Sequence, residues 1–283
     1  MALHTESGNA TVRDALAHAR RLESVSDSAL LDTELLLAHA LGVNRSWLIA
    51  HAHDRIGEQV LAEFETMIAR RSTGEPLAYV IGKRGFWDVE LDVEPGVLVP
   101  RPETECLVEA LLSRLDNSPR CVIDVATGSG AIAIALARER SEWKLVATDL
   151  SADALRMAAR NVRIWAPDRV AIARMSWLAA IPASSIDVLA CNPPYIREND
   201  PHLAALSHEP VMALASGTDG LDAINAMAVD ASRCLVPGGT LALEHGYDQR
   251  DAVIAILARA GLADIDTLDD LSGTPRIAIA RKK

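Results

Sequence analysis

Asn192-Pro193-Pro194-Tyr195 carries residue types suited to holding a planar nitrogen. An amide nitrogen is a poor nucleophile because its lone pair is delocalised, and it carries two N–H donors. The Asn192 side-chain oxygen and the Pro193 carbonyl can each accept one of those hydrogens, which orients the nitrogen and stabilises the positive charge that develops on alkylation. The prolines fix φ and remove competing N–H donors, and Tyr195 offers a ring for stacking. No strong general base is needed, since the alkylated nitrogen loses its proton to water.

The position of this tetrapeptide supports a chemical role. It follows a predicted strand over residues 186–191, and ligands of open α/β sheets bind at the carboxyl ends of the strands. The alternative is a plain Pro-Pro loop between a strand and the next element. A predicted nucleoside-binding site with an acidic residue lies earlier in the sequence, and its presence disfavours that alternative.

This upstream site begins with a glycine-rich turn. Residues 122–130 are typical of a strand that runs into a turn before a helix, and the turn holds Ala126, Thr127, Gly128, Ser129 and Gly130. Asp149 closes the next predicted strand, 19 residues after Gly130, where a carboxylate can accept hydrogen bonds from both ribose hydroxyls. NAD, FAD and S-adenosylmethionine sites all use glycine turns. The form D-x-A-x-G-S-G fits a methyltransferase turn better than G-x-G-x-x-G does. We therefore expect S-adenosylmethionine as cofactor and S-adenosylhomocysteine as product.

Two residues near this turn, Ala126 and Trp177, each allow two interpretations. Ala126 stands where such a turn normally has its first glycine, and its methyl group is tolerated where φ is negative. Trp177 follows the third predicted strand. It can lie at the edge of an adenine or fill the core, and its position alone does not decide between them.

Composition limits the classes of protein that remain. A chain of 283 residues exceeds the usual size of one core, which favours two domains. A net charge of −11 argues against direct binding of nucleic acid through its phosphates. No apolar run is long enough for a bilayer, residues 1–10 lack a signal-peptide pattern, and the four cysteines show neither disulfide nor metal-site spacing. We expect a cytoplasmic monomer with no bound metal and no membrane association.

Hydrophobic periodicity divides the chain into three parts. Helical patterns over residues 11–22, 28–41, 47–50 and 57–74 predict a helical domain at 1–74. Partial alternation over 77–100 predicts a β-hairpin linker at 75–100. The remainder, 101–283, alternates strands with helices, which predicts an α/β domain with a mainly parallel sheet covered on both faces. Its predicted strands are 121–126, 144–149, 170–174, 186–191, 240–245, 263–267 and 276–280.

These motifs together resemble one family closely, the glutamine-N5 methyltransferases that modify class 1 peptide-chain release factors. The segment Pro100-Arg101-Pro102-Glu103-Thr104-Glu105 is much more specific than the glycine turn. The other matching segments cover most of the chain and lie at residues 32–38, 74–79, 86–87, 127–133, 192–196, 209–210, 213–214, 219–221 and 244–246.

The resemblance implies a seven-stranded Rossmann-like class I methyltransferase domain, with a small N-terminal helical domain joined to it by a β-hairpin. It implies that the cofactor contacts Ala126, Thr127, Gly128, Ser129, Gly130, Asp149, Trp177 and Asn192. It also implies that the substrate contacts Asn192, Pro193, Pro194 and Tyr195, with Arg101, Glu103 and Thr104 in the same pocket. The implied acceptor is the glutamine of the release factor's Gly-Gly-Gln loop, and the helical domain becomes a docking surface.

Three other functions remain open at this point. A nucleic-acid amino methyltransferase uses the same tetrapeptide chemistry but must reach a stacked base, and the acidic chain argues against it. A glutamine methyltransferase acting on a ribosomal protein has the same acceptor, so the catalytic loop does not separate it. The third is a binding module without catalysis, which the intact Asn192, Asp149 and glycine turn disfavour.

Overall fold

The computed structural model describes residues 10–283. Residues 1–9 lie outside the described part of the chain. They include nearly all of the segment 1–10 for which no signal peptide is expected, and the first nine residues of the predicted helical domain. Clustering of contacts separates two compact units, Met1–Gly82 and Lys83–Lys283. Among the described residues, no helix combines the length and apolar character needed to cross a membrane.

The first unit is helical. Thr11 begins its first helix in a capping box with Asp14, and Gly42, at φ 65°, ends the second. Buried apolar side chains from several helices form one core, and the buried ion pair between Asp32 and Arg71 (2.8 Å) joins the second helix to the fourth. The helices are α1 (Val12–Leu16), α2 (Ala29–Leu41), α3 (Arg45–Ala50), α4 (Glu58–Ser72) and α5 (Leu77–Ile81).

The fifth helix occupies a segment that the sequence assigns to the hairpin. Residues 77–81 are an unbroken apolar run, which lacks the alternation of a half-buried strand, and Gly82 ends the helix with φ 78°. The hairpin itself consists of β1 (Lys83–Phe86) and β2 (Val89–Asp92). The structure therefore begins the hairpin at Lys83 and includes α5 in the first unit.

The second unit continues with an alternation of helices and strands. Its elements are α6 (Glu105–Arg114), β3 (Arg120–Val125), α7 (Ala131–Glu139), β4 (Trp143–Asp149), α8 (Ala152–Trp165), β5 (Val170–Arg174), β6 (Ile186–Cys191), α9 (Asp222–Cys234), β7 (Leu235–Glu244), α10 (Arg250–Arg259), β8 (Leu262–Asp269) and β9 (Pro275–Lys282). Seven strands form one sheet in the order β5-β4-β3-β6-β7-β9-β8. The first five run parallel, and β9 is antiparallel to both of its neighbours. The predicted seven-stranded α/β fold is confirmed.

Both faces of the sheet are covered, as the nearly continuous apolar strands predict. On β3, Val122 belongs to the core that includes α6 and α7, whereas Ile123 and Val125 belong to the core that includes α9 and α10. Because the central strands are parallel, their carboxyl ends meet at one edge. That edge receives the residues that follow or end β3, β4, β6 and β7.

Candidate functional site

A cavity opens at this carboxyl edge, within the second unit. Its walls include Phe86, Val97, Leu98, Ile132 and Met175, so much of its surface is apolar. Most of the site residues proposed from the sequence also line it: Arg101, Thr104, Ala126, Thr127, Gly128, Ser129, Asp149, Trp177, Asn192 and Pro194. Glu103, Gly130, Pro193 and Tyr195 are not among the lining residues.

Asp149 holds the glycine turn in place. One of its carboxylate oxygens accepts a hydrogen bond from the Gly128 N–H (3.0 Å), and the other accepts one from the Ser151 N–H (2.9 Å). Each carboxylate oxygen can accept more than one hydrogen bond. Asp149 therefore fixes the backbone of the turn and keeps acceptor capacity for hydroxyl groups in the cavity.

Asp124 lies buried beneath the same turn. One of its oxygens accepts hydrogen bonds from the Thr127 hydroxyl (2.5 Å) and from the Ala133 N–H (3.1 Å). Its Oδ1 is buried and has no partner among residues 10–283. Burial raises the pKa of Asp124 from 3.8 to about 7, because the charged carboxylate loses its hydration. This carboxyl group therefore titrates near neutral pH in the folded protein.

Gly130 packs against a helix instead of lining the cavity. It precedes α7 with φ 88°, and a Cβ atom added there would lie 3.4 Å from atoms of both Ala158 and Ile134. The glycine therefore allows close packing of α7 against α8. Its predicted contact with a cofactor stays a prediction.

Ala126 does not have the negative φ at which its methyl group would be tolerated without strain. Its φ is +56°. This left-handed region is strained for a residue with a Cβ atom, and strain of this kind costs about 1–3 kcal/mol. Ala126 is held on both sides. The preceding residue ends β3, and the N–H of the following residue, Thr127, donates a hydrogen bond to the Thr148 carbonyl (2.9 Å).

We predict that Ala126→Gly stabilises the ligand-free protein. Glycine adopts φ +56° without steric cost, and the gain, net of the added entropy of the unfolded chain, is about 1 kcal/mol. Thermal or urea unfolding of the two proteins measures the difference. Ala152→Gly, at an exposed first position of α8 with helical φ, is the matched control and is expected to destabilise. An unchanged or lower stability of Ala126→Gly would show that the residue is not strained.

Trp177 lies between the cavity and the core. It lines the cavity, and it is also half-buried against the core that includes α9 and α10. Its φ of +48° places it, like Ala126, in the left-handed region. The indole is therefore held at the cavity wall by core packing.

A chain of side-chain hydrogen bonds begins at Asn192. The Asn192 Nδ2 donates to the Thr104 hydroxyl oxygen (3.0 Å), and that hydroxyl donates to Glu244 Oε2 (2.6 Å). The Tyr195 hydroxyl donates to the second oxygen of Glu244 (2.9 Å). Burial raises the pKa of Glu244, and the bonds from Thr104 and Tyr195 oppose this rise. Burial and the adjacent Glu244 charge also raise the pKa of Tyr195.

Two acceptors of the loop remain available. Within residues 10–283, no donor forms a hydrogen bond to the Asn192 side-chain oxygen or to the Pro193 carbonyl. Because the Asn192 nitrogen is already bonded to Thr104, the oxygen is the part of the amide left for a ligand. These are the two oxygens that the sequence analysis assigns to a planar nitrogen.

The ring of Tyr195 is packed against the core that includes α9 and α10, and its hydroxyl is directed at Glu244. Its carbonyl accepts a hydrogen bond from the Gln249 side chain (3.0 Å). Tyr195 is therefore fixed at both ends. Stacking of its ring on a planar substrate stays a prediction.

Arg101 forms an ion pair with Glu209, which is only 4% exposed. Glu209 also accepts a hydrogen bond from the Val99 N–H (3.0 Å). This carboxylate therefore links the loop after β6 to the segment that precedes α6. Glu209 and Glu244 both lie in segments that resemble the family, but their positions in the sequence indicate no role for either.

Asn161 is a third residue to which the sequence assigns no role. It is fully buried on α8, accepts a hydrogen bond from the Asp92 N–H (2.8 Å) and donates to the carbonyls of Asp92 (3.0 Å) and Ser129 (2.9 Å). Asn161 thus ties the glycine turn to β2. The only sequence signal is a polar residue on the apolar face of a helix.

Comparisons with known proteins agree with this geometry. Residues 14–82 match the PrmC N-terminal domain, and residues 102–218 match the methyltransferase small domain. A solved methyltransferase from Pyrococcus furiosus shares the fold, with a TM-score of 0.54 at 17% identity over 77% of this chain and 98% of that one.

Curated relatives are similar over most of their length. A release factor glutamine methyltransferase from Xylella fastidiosa is 44% identical over 89% of this chain and 92% of its own. Proteins of the same name from Pseudomonas aeruginosa and Burkholderia pseudomallei are 43% and 42% identical, over 90% and 96% of this chain and 94% and 98% of their own.

The sheet, its glycine turn and these similarities define a Rossmann-like methyltransferase. Within that class, the chain belongs to the release factor glutamine methyltransferase family.

Proposed function

We propose that this protein transfers a methyl group from S-adenosylmethionine to the side-chain amide nitrogen of a release-factor glutamine, in the Gly-Gly-Gln motif of class 1 factors. Family membership supports the substrate. One observation supports the proposed chemistry most directly. The Asn192 side-chain nitrogen donates a hydrogen bond to Thr104, which leaves the side-chain oxygen of this cavity-lining residue available as an acceptor. A free acceptor at this position suits a nitrogen that carries two hydrogens.

The residues around the cavity fit a nucleoside cofactor. Asp149 has acceptor capacity for a ribose diol, Gly128 has no Cβ atom to obstruct a ligand, and Trp177 and Ile132 offer apolar surface for a base. When bound, S-adenosylmethionine supplies an electrophilic methyl group on a sulfonium. Asp149, Gly128 and Trp177 would hold the cofactor in the cavity that Asn192 also lines.

Asn192 and Pro193 would then orient the acceptor nitrogen. Two hydrogen bonds to their oxygens turn the amide so that its nitrogen faces the methyl group, and they stabilise the charge that develops during transfer. Substitution of the nitrogen makes its remaining protons acidic, so one proton passes to water without a dedicated base.

The helical unit is assigned the docking of the rest of the release factor. The match of residues 14–82 to the PrmC N-terminal domain supports this assignment. We propose that this docking unit extends to Gly82, eight residues beyond the boundary expected from the sequence, and that the protein acts as a cytoplasmic monomer. The acidic chain supports a protein acceptor instead of a nucleic acid.

Mass spectrometry of acceptors incubated with the protein and S-adenosylmethionine tests the function. We expect a single methyl group on the Gly-Gly-Gln glutamine of a class 1 release factor, and none when alanine replaces that glutamine. Purified DNA, RNA and ribosomal proteins serve as competing acceptors in parallel reactions. Methylation of nucleic acid alone would reject the proposal, and methylation of a ribosomal protein alone would select the related glutamine methyltransferases.

A further inference from the structure

Glu244 is a buried carboxylate that the chemistry described above does not use. It ends β7, and the parallel pairing of Cys191 with Leu243 places the residues that follow, Asn192 and Glu244, at the same sheet edge. Its side chain is 1% exposed and does not line the cavity. Both of its oxygens accept hydrogen bonds, from Thr104 and from Tyr195.

The charge state of Glu244 sets the direction of the hydrogen-bond chain. An ionised carboxylate only accepts, so the Thr104 hydroxyl must direct its single proton at Glu244. The lone pairs of that hydroxyl then face Asn192 and require a donor. Of the two ends of the Asn192 amide, only the Nδ2 end donates, which leaves the oxygen for the cavity.

We propose that Glu244 is a positioning residue that selects the orientation of the Asn192 amide through Thr104 and anchors Tyr195 with its second oxygen. The inference rests on the proposed function for its catalytic consequence. The orientation itself depends only on the three hydrogen bonds that join these four side chains.

The hydrogen bonds between Glu244, Thr104 and Asn192 would no longer have a fixed donor-to-acceptor direction if the side chain at position 244 could donate. In Glu244→Gln, the new NH₂ group faces either Thr104 or Tyr195. When it faces Thr104, the threonine hydroxyl accepts from it and becomes free to donate to the Asn192 oxygen. The amide then flips and presents two N–H donors to the cavity, where they oppose the hydrogens of an acceptor amide.

Thr104→Val and Thr104→Ser test the hydroxyl group that connects Asn192 to Glu244. Valine matches threonine in shape but offers no acceptor to Asn192, so the amide loses its fixed orientation. We expect kcat on a release factor to fall about 10- to 100-fold, because a displaced positioning group acts on the transition state, with KM changed less than about 2-fold. Serine keeps the hydroxyl and is expected to recover most of the lost kcat.

Glu244→Gln is expected to lower kcat less than Thr104→Val does, with a similarly small change in KM, because the Asn192 orientation is lost only in molecules whose new NH₂ group faces Thr104. Thr240→Val is its matched control, since it removes a buried hydroxyl from β7 four residues earlier, away from the chain of hydrogen bonds. That variant should keep the wild-type kcat. Equal losses in Thr240→Val and Glu244→Gln would indicate general damage to the strand and overturn the proposal.

NMR of the Asn192 side-chain amide tests the orientation without any activity measurement. The ¹H–¹⁵N pair is assigned by its loss in Asn192→Asp. Its chemical shifts and hydrogen exchange should change in Thr104→Val and Glu244→Gln and remain close to wild type in Thr104→Ser and Thr240→Val. Unchanged signals in both disruptive variants would overturn the proposal even if activity fell. Methylation of no release factor by the wild type would reject the proposed function, while these signals still decide the orientation.

Discussion

Asn192→Ala is expected to lower kcat for methylation of a release factor by about 10²- to 10³-fold, the effect typical of removing one preorganised electrostatic partner of a transition state. The substitution removes a side-chain oxygen that accepts no hydrogen bond within residues 10–283, from a residue that lines the cavity. KM for the release factor should change little, because the acceptor amide is a small part of that protein's surface. Single-turnover rates at saturating S-adenosylmethionine measure the chemical step directly.

The fold should survive this substitution, since the Asn192 side chain makes one hydrogen bond within the described residues. Asn199→Ala is the matched control: Asn199 is an exposed asparagine of the same loop. Its kcat should equal that of the wild type, and both variants should show a wild-type circular dichroism spectrum. A wild-type kcat in Asn192→Ala would refute the role of the side chain.

The strands that carry the site were open to prediction from local pattern. Residues 121–126 and 186–191 are mostly apolar segments, each with a single aspartate, and they form β3 and β6 within one residue of those limits. Because parallel strands share a carboxyl edge, their positions also predict that Asp149 and Asn192 approach one cavity. Helix α5 is not predictable in this way, because a short apolar run is compatible with either a helix or a strand.

Local pattern does not contain the contacts that orient the site. Thr104 and Glu244 are 140 residues apart in the chain, and a buried carboxylate at the end of a strand has no periodicity to reveal it. The positive φ of Ala126 is not predictable from the sequence either, because alanine, unlike glycine or asparagine, does not indicate a left-handed turn. In both cases tertiary packing fixes a local property, so the sequence predicts the residues of the site but not their hydrogen-bond directions.

Asp149→Ala is expected to weaken binding of S-adenosylmethionine about 10²-fold or more. Each hydrogen bond to a charged group contributes about 1.5–3 kcal/mol, and a ribose diol would place two such bonds on this carboxylate. The same substitution leaves the Gly128 and Ser151 N–H groups without the hydrogen bonds that they donate to Asp149 in the wild type. Isothermal titration calorimetry gives Kd, and kcat at saturating cofactor should fall much less than the affinity.

Two further variants separate local bonding from charge. Asp153→Ala removes an exposed acid of the same sign from the first turn of α8 and should leave Kd unchanged. Asp149→Asn keeps the shape but replaces one oxygen with an NH₂ group, which must then face a backbone N–H, because both oxygens now accept one. We therefore expect Asp149→Asn to bind almost as weakly as Asp149→Ala. Wild-type Kd in Asp149→Ala would show that the cofactor does not depend on this carboxylate, whereas wild-type Kd in Asp149→Asn alone would show that one acceptor oxygen is sufficient.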